Sequence, residues 1–264
     1  MTVFSRAQLS LHPLQPSRQG PHWSGVPARA WFLDMTRAAS PEIFARITAD
    51  NQPACYTVSP LQKPAVADPA AFTLAFTTLD DDLTDLWATR ILPVLPGAGI
   101  TLGEKSYGVV TVETETTTDA DLIQQHTLSA ELPQRGLTLR FRTPVTFHSG
   151  GSQFPFPTPD LVFGGLLDRW NSLCDIQLHP DTRTFARECI RISRYRMESR
   201  RVDTGDSPYG VLTGGTGDCR YVVWRGDEYW QRVVHALAAF SRFAGVGART
   251  SIGMGQVEVL PERG

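Results

Sequence analysis

Apolar residues along the chain recur in two alternating registers, and their order repeats. Phe4 to Leu14 alternates loosely and ends in Pro and Gly, which predicts a strand and then a loop to about Pro27. From Ala28 to Ala38, Trp31, Phe32 and Met35 are spaced as on one helical face. Ser40-Pro41-Glu42 starts a second helix: a capping hydroxyl, a proline in the first turn and an acid at the positive end. Cys55 to Ser59 and Ala71 to Thr77 read as strands. Asp80 caps a helix with Leu83, Leu86, Trp87 and Ile91 on one side, stopped by Pro93, and Val109 to Thr117 gives another strand.

The second half repeats the order without sequence identity. Leu137 to Phe147 is a strand interrupted by Pro144. Thr158-Pro159-Asp160 opens a helix with Phe163, Leu166, Leu167, Trp170 and Leu173 on one face. A short helix around Phe185 leads to a long strand, Ile190 to Val202, and Cys219 to Arg225 follows Gly214-Gly-Thr-Gly217. Glu228 to Phe243 is amphipathic, with Trp230, Val233, Val234 and Leu237 inward, and Ile252 to Leu260 is the last strand. Two successive βαββαβ units predict an α+β fold of two tandem ferredoxin-like domains, 1–126 and 127–264.

Composition adds exclusions. The 264 residues are 41% hydrophobic and 20% charged, an ordinary globular balance that argues against disorder and coiled coil. No apolar run is long enough to span a membrane, and the first residues lack a basic segment followed by an apolar core, so a cytoplasmic protein is expected. Cys55, Cys174, Cys189 and Cys219 lie far apart, which speaks against disulfides and against a clustered zinc site. The net charge of −2 hides an asymmetry: residues 1–136 carry 9 Lys+Arg against 14 Asp+Glu, residues 137–264 carry 16 against 13. The second half also concentrates Arg187, Arg191, Arg194, Arg196, Arg200 and Arg201 against only Glu188 and Glu198. Strict alternation puts Arg191, Ser193, Tyr195, Met197, Ser199 and Arg201 on one face, and Ile192, Arg194, Arg196, Glu198 and Arg200 on the other. The second face is too charged to be buried, and reads either as a solvated face paired with acids or as a track for RNA backbone. Tyr195 and Trp224 are candidates to stack a base, or to belong to the core.

The most specific segment is Ala244-Gly-Val-Gly-Ala-Arg-Thr-Ser-Ile-Gly-Met-Gly255. Its glycines follow a helix and precede a strand, the reverse of a dinucleotide fingerprint, and no lysine is near for a Walker loop. Arg249, Thr250 and Ser251 between the glycine pairs form a phosphate-friendly set, with Gly245, Gly247 and Gly253 allowing close approach to the backbone. The alternative is a tight helix-to-strand turn packed on a sheet.

This segment, extended to Phe243 and Val257, resembles the terminal glycine-rich loop of the CRISPR-associated precursor-RNA-processing endoribonucleases of the RAMP superfamily. Thr143-Pro-Val-Thr-Phe147, the alternating prolines of 155–159, Phe163 to Asn171 and Tyr56-Thr-Val-Ser-Pro-Leu61 resemble further parts of that family. The resemblance implies a single-chain nuclease that binds the CRISPR repeat in a precursor RNA and cuts one phosphodiester with the RNA's own 2′-OH. It would leave a 2′,3′-cyclic phosphate and a 5′-OH, need no metal or cofactor, keep its cut RNA and join other effector-complex subunits. In many members a histidine precedes the Tyr56 strand, but counting back reaches Thr48.

The replacement candidate is His22, in Gly20-Pro-His-Trp-Ser-Gly25, with Arg37 and Arg249 as cations for the transition state and Arg29 and Arg46 as further RNA contacts. His126 and His179 are expected to be inert and His12 to lie at a strand end, while His148 and His235 read either as exposed residues without a role or as RNA contacts. Two rival readings are a crRNA-repeat-binding subunit that does not cut and a ferredoxin-like protein for a small phosphate ligand.

Overall fold

A computed structural model of the chain describes residues 1–15, 23–50, 53–63, 71–128, 133–149, 151–205 and 207–261. The N-terminal elements are β1 (Val3–Pro13), α1 (Gly25–Ala39), α2 (Pro41–Ile47), β2 (Tyr56–Val58), β3 (Phe72–Thr78), α3 (Asp81–Leu86), β4 (Gly99–Leu102) and β5 (Lys105–Thr118). Their sheet runs β2-β3-β1-β5-β4, every pair antiparallel. The C-terminal elements are α4 (Asp119–Thr127), β6 (Gly136–Val145), β7 (Phe147–Ser149), β8 (Ser152–Phe154), α5 (Pro159–Leu173), α6 (Thr182–Cys189), β9 (Ile190–Asp203), β10 (Val211–Val223), α7 (Glu228–Ala244) and β11 (Val257–Leu260). Here the main sheet runs β11-β6-β10-β9. In each half the first strand lies between the last and the third, the ferredoxin-like order, so the fold is two such units in tandem.

Local chemistry sets most boundaries. Ser40 and Asp80 accept from the backbone N–H of Ile43 and Leu83, capping α2 and α3, and Asp227 caps α7 through Trp230. The N-terminal core packs Ala7, Leu9 and Leu11 of β1 against Trp31 and Phe32 of α1 and against Trp87, whose ring stacks on Phe32 at 4.5 Å. The C-terminal core packs Leu137, Leu139 and Phe141 of β6 against Phe163 and Trp170 of α5 and Val233 and Phe240 of α7. Phe4, Leu79 and Leu122 reach into this second core, which joins the two halves. Among the described residues no helix is long and apolar enough to cross a membrane.

The structure departs from the sequence-based elements where glycines or short hairpins intervene. Gly214, Gly215 and Gly217 lie inside β10 rather than before it. An added Cβ at Gly215 would stand 2.4 Å from the Pro155 carbonyl oxygen, and at Gly217 2.0 Å from that of Arg196, so only glycine keeps the strand in place. The last strand begins at Val257, because Thr250–Ile252 forms a single 3-10 turn. The helix after Asp80 continues as a π-helical turn, Trp87–Ile91. Strands β4, β7 and β8 and helix α4 are additional.

The arginine strand differs most. Arg220 pairs with Arg194 but Tyr221 pairs with Ile192, so Ser193 is an extra residue in β9. This bulge flips the alternation. Arg191, opposite Val222, shares a face with Arg194 and Arg196, while Ile192 turns to the core side beside Tyr221.

Candidate functional site

Three segments distant in sequence meet at the glycine loop. The Trp23 indole N–H donates to the Ile252 carbonyl at 2.8 Å, and Gly25 lies so close that an added Cβ would stand 1.8 Å from the same oxygen. On another side Gly253 abuts Pro60, leaving 2.7 Å to its Cδ. The β9–β10 connection supplies Tyr209, over whose ring the Arg249 guanidinium lies at 4.9 Å. Leu212, Val202, Ile252 and Met254 form a small core that seals this junction.

The loop glycines serve this folding. Gly245, Gly247, Gly253 and Gly255 all have positive φ. The loop is tied to itself and to the end of β6: the N–H of Val246 donates to the Gly255 carbonyl, Gly253 to Thr250 and Met254 to Arg249, while Ala248 donates to Thr146 and Gly255 to Pro144. Among the described residues no intramolecular acceptor meets the N–H groups of Gly247, Arg249, Thr250 and Ser251. Three of these follow one another at the start of the 3-10 turn. Arg249 itself is left-handed, with φ 63°, a conformation that costs a side chain about 1–2 kcal/mol. The loop thus presents consecutive N–H donors beside one exposed guanidinium, an anion-binding arrangement.

Behind the loop stands Arg169 of α5, which the sequence reading left unassigned. Its Nη1 donates to the Ala244 carbonyl at 2.6 Å and to Thr250 Oγ1 at 2.7 Å, and its Nη2 to the Ala54 carbonyl at 2.6 Å. Tyr56 accepts a longer contact at 3.4 Å. Nε is buried without a partner, no carboxylate pairs with this guanidinium among the described residues, and burial pulls its pKa down to about 10. The charge therefore ties α5, the glycine loop and the start of β2 together. A lone cation beside the apolar stripe of α5 was the available signal. A shallow cavity of about 440 Å³ opens here, lined by Ala54, Asp168, Arg169, Gly247, Arg249 and Ser251 among others.

The predicted residues separate into groups. Arg29 is near the loop: its Nε donates to the Tyr56 hydroxyl at 3.0 Å, and Tyr56 stacks on Phe32 at 4.9 Å. Burial pushes the Tyr56 phenol up, Arg29 opposes the shift, and Tyr209 adds to it. Thr250 is buried and its hydroxyl already receives Arg169, while Ser251 is half-buried. His22 lies outside the described residues; its neighbour Trp23 is the anchor to Ile252.

Arg37 stands twelve residues beyond Gly25, about 18 Å along α1, and is not brought to Arg249. It pairs with Asp34 and covers the Phe44 ring at 5.2 Å. Arg46 is held bidentately by Asp80, at 2.6 and 2.7 Å, and also meets Asp82. Arg191, Arg194 and Arg196 lie on the open face of the C-terminal sheet. Arg200 pairs with Glu198 and Arg201 with Asp203. Of the histidines, His12 and His148 are exposed, His179 is 3.7 Å from Asp181, and His235 Nε2 lies 2.7 Å from the Gln134 carbonyl. Thr48 caps α2, its hydroxyl donating to the Phe44 carbonyl.

Residues 139–257 match the family model described as CRISPR-associated endoribonuclease Cas6. The chain is 30% identical over 129 residues to the CRISPR-associated endoribonuclease Cas6 of Mycobacterium tuberculosis, covering 48% of this chain and 40% of that protein. It is 30% identical over 139 residues to the Streptococcus thermophilus protein of the same description, 51% of this chain and 54% of that one. The chain thus spans about half the length of these two relatives. A Cas6 product complex superimposes with a TM-score of 0.81 at 26% identity, over 98% of this chain and 100% of the other. A Thermus thermophilus Cas6 gives 0.75 at 24% identity over 98% and 99%, a likeness of fold.

Proposed function

We propose that this chain belongs to the Cas6 family, which it resembles in fold and in the sequence of residues 139–257, and is an endoribonuclease that binds the repeat of a precursor CRISPR RNA and cuts it once. The observation that carries the reading is the run of N–H donors at Arg249, Thr250 and Ser251 beside the exposed Arg249 guanidinium. These groups suit a phosphodiester whose charge grows as a fifth oxygen joins phosphorus.

In this reading the 2′-oxygen attacks the adjacent phosphorus and the bond from phosphorus to the 5′-oxygen breaks. The products are a 2′,3′-cyclic phosphate and a 5′-OH. Arg249 and the loop amides bear the phosphorane charge, and the 2′-OH proton leaves as the 5′-oxygen gains one. His22 is assigned to this proton traffic, since an imidazole titrates near neutral pH whereas an arginine stays protonated. Arg29 assists as a second cation near the loop. Arg37 and Arg46, engaged by Asp34 and Asp80, are assigned to RNA backbone only where RNA displaces those pairs. The reaction is proposed to proceed without metal or other cofactor, and the cut RNA to stay bound.

The test is incubation of the purified protein with its labelled repeat RNA in EDTA, alongside repeats carrying 2′-deoxy at each position in turn. A single cut that survives EDTA and disappears with one 2′-deoxy substitution is expected, with no second turnover. Removing such a donor costs about 10²–10³ in rate, so Arg249→Ala should slow single-turnover cleavage by that order. Tight binding without cutting would establish the crRNA-binding reading that Thr48, in the histidine's place, motivates. Absence of binding would refute both.

A further inference from the structure

We propose that the open face of the C-terminal sheet is a second binding surface, one that takes the single-stranded RNA flanking the repeat and is separate from the glycine loop. This inference rests on the RNA-processing reading and deepens it. Helices α5 and α7 cover one face of that sheet, and the loop cavity lies on their side, lined by Gly165, Asp168 and Arg169 of α5. The opposite face holds a cavity of about 780 Å³ lined by Arg140, Arg194, Arg196, Arg220 and Asp218 among others. Among the described residues that cavity is lined by strand residues and by Pro261, with no helix residue.

The charge on this face is unbalanced in one direction. Asp218 is taken by Arg140 through two contacts of 2.7 and 2.8 Å, which hold its carboxyl below the usual range. Glu258 is taken by Arg142 at 2.8 Å. Arg191, Arg194 and Arg196 enter no ion pair among the described residues, whereas Arg200 and Arg201 nearer the hairpin tip each have one. The bulge at Ser193 is what collects these three guanidiniums: with regular alternation Arg191 would face the core side, and with the extra residue it joins Arg194 and Arg196, its Nη1 donating only to the Arg187 and Ile190 carbonyls among the described residues.

The row ends in an aromatic ring. Trp224 follows β10 and is 51% exposed, with the guanidiniums of Arg191 and Arg225 over its ring at 5.6 and 5.2 Å. A cationic track one strand wide that ends in an accessible indole fits a flexible single strand, whose phosphates meet arginine and whose bases stack on aromatic surfaces.

The experiment compares three RNAs against the full chain: the bare repeat, the repeat with a single-stranded flank, and a short oligouridylate with no repeat. The flanked repeat is expected to bind about five-fold or more tighter than the bare one, the low end of one base–aromatic stack. In Arg194→Ala/Arg196→Ala that advantage should vanish, and the slope of log affinity against log salt for the oligouridylate should fall by about 1.4, two single-strand phosphate contacts. The oligouridylate should quench tryptophan fluorescence in the parent protein and not in Trp224→Phe. Equal binding of flanked and bare repeat, equal losses for both in the double variant, or no binding of oligouridylate would overturn the proposal; the last is expected if the face docks a protein instead. Binding of oligouridylate through Trp224 by a protein that leaves the repeat uncut would keep this inference and sink the nuclease reading.

Discussion

Replacing Arg169 by methionine removes a charge while keeping a side chain of similar reach, and the structure fixes what is left behind. Three close acceptors, the Ala244 and Ala54 carbonyls and Thr250 Oγ1, lose charged donors at 2.6 to 2.7 Å. Each unmet buried acceptor costs about 1–3 kcal/mol. Against this stands the relief of no longer enclosing a guanidinium that has no carboxylate and an unpartnered Nε, a desolvation cost that is itself several kcal/mol. Of the three acceptor residues only Ala54 is partly exposed, so water reaches its side of the vacated space alone. A net loss of about 2–4 kcal/mol follows. At about 2–4 °C per kcal/mol for a chain of this size, the melting temperature should drop by roughly 4–16 °C.

The location of the loss separates this reasoning from a general core defect. Arg169 joins the loop to the Ala54 backbone, so hydrogen exchange should speed first at Val246, Ala248 and Gly253, whose N–H groups hold the loop closed, while β6 and β10 stay protected. Arg169→Lys keeps a positive charge but not the planar fork, and should recover part of the loss. Differential scanning calorimetry of the three proteins, with exchange mass spectrometry of the loop peptides, makes the check. A methionine variant within about 0.5 kcal/mol of the parent, or exchange that rises uniformly, would refute the clamp.

Gly253→Ala should destabilise by at least about 2 kcal/mol, since φ is +92° and the new Cβ would meet Pro60 at 2.7 Å, whereas Gly165→Ala, helical with open space, should stabilise by up to about 1 kcal/mol; urea melts decide both. Arg249→Gly should leave the melting temperature unchanged or slightly higher, because it relieves a left-handed side chain, yet slow cleavage; a fall in both would show that the strain is not stored there. Burial and the nearby His235 lower the His126 pKa. The unfolded chain then takes up that proton first as pH falls below about 6.5, so stability should decline across that window, and His126→Gln should flatten the melting temperature between pH 7.5 and 5.5. Thr36→Val should cost about 1–3 kcal/mol by stranding the buried Trp87 indole N–H, which donates to Thr36 Oγ1 at 3.0 Å.

What the amino-acid pattern revealed, and what it hid, follows from the range of each interaction. Helix caps at Ser40 and Asp80 act within three residues, and the apolar stripes of α5 and α7 within two turns, so the element order and the tandem fold could be read directly. The bulge at Ser193 depends on pairing with a strand that follows it by some twenty-seven residues, and no local signal marks it. The glycines of β10 looked like a loop because the carbonyls that exclude their side chains, at Arg196 and Pro155, are remote in sequence. Arg169 was hidden for the same reason: its acceptors lie on segments about 75 to 115 residues away.

The glycine loop shows how two explanations of one motif divide between its atoms. Its four glycines are accounted for by folding alone, since each has positive φ and each would press a Cβ within 3 Å of a neighbouring atom. A glycine pattern of this kind is therefore no evidence for a ligand. The residues between the pairs are different. Thr250 turns inward to Arg169, and this fixes the turn in which the N–H groups of Arg249, Thr250 and Ser251 meet no acceptor among the described residues. Arg249 adopts a backbone conformation that glycine or asparagine would reach more cheaply, and it exposes its charge there. Folding stability would favour another residue at that position, so the arginine is the part of the motif that points to function, and the glycines are the scaffold that holds it beside open amides.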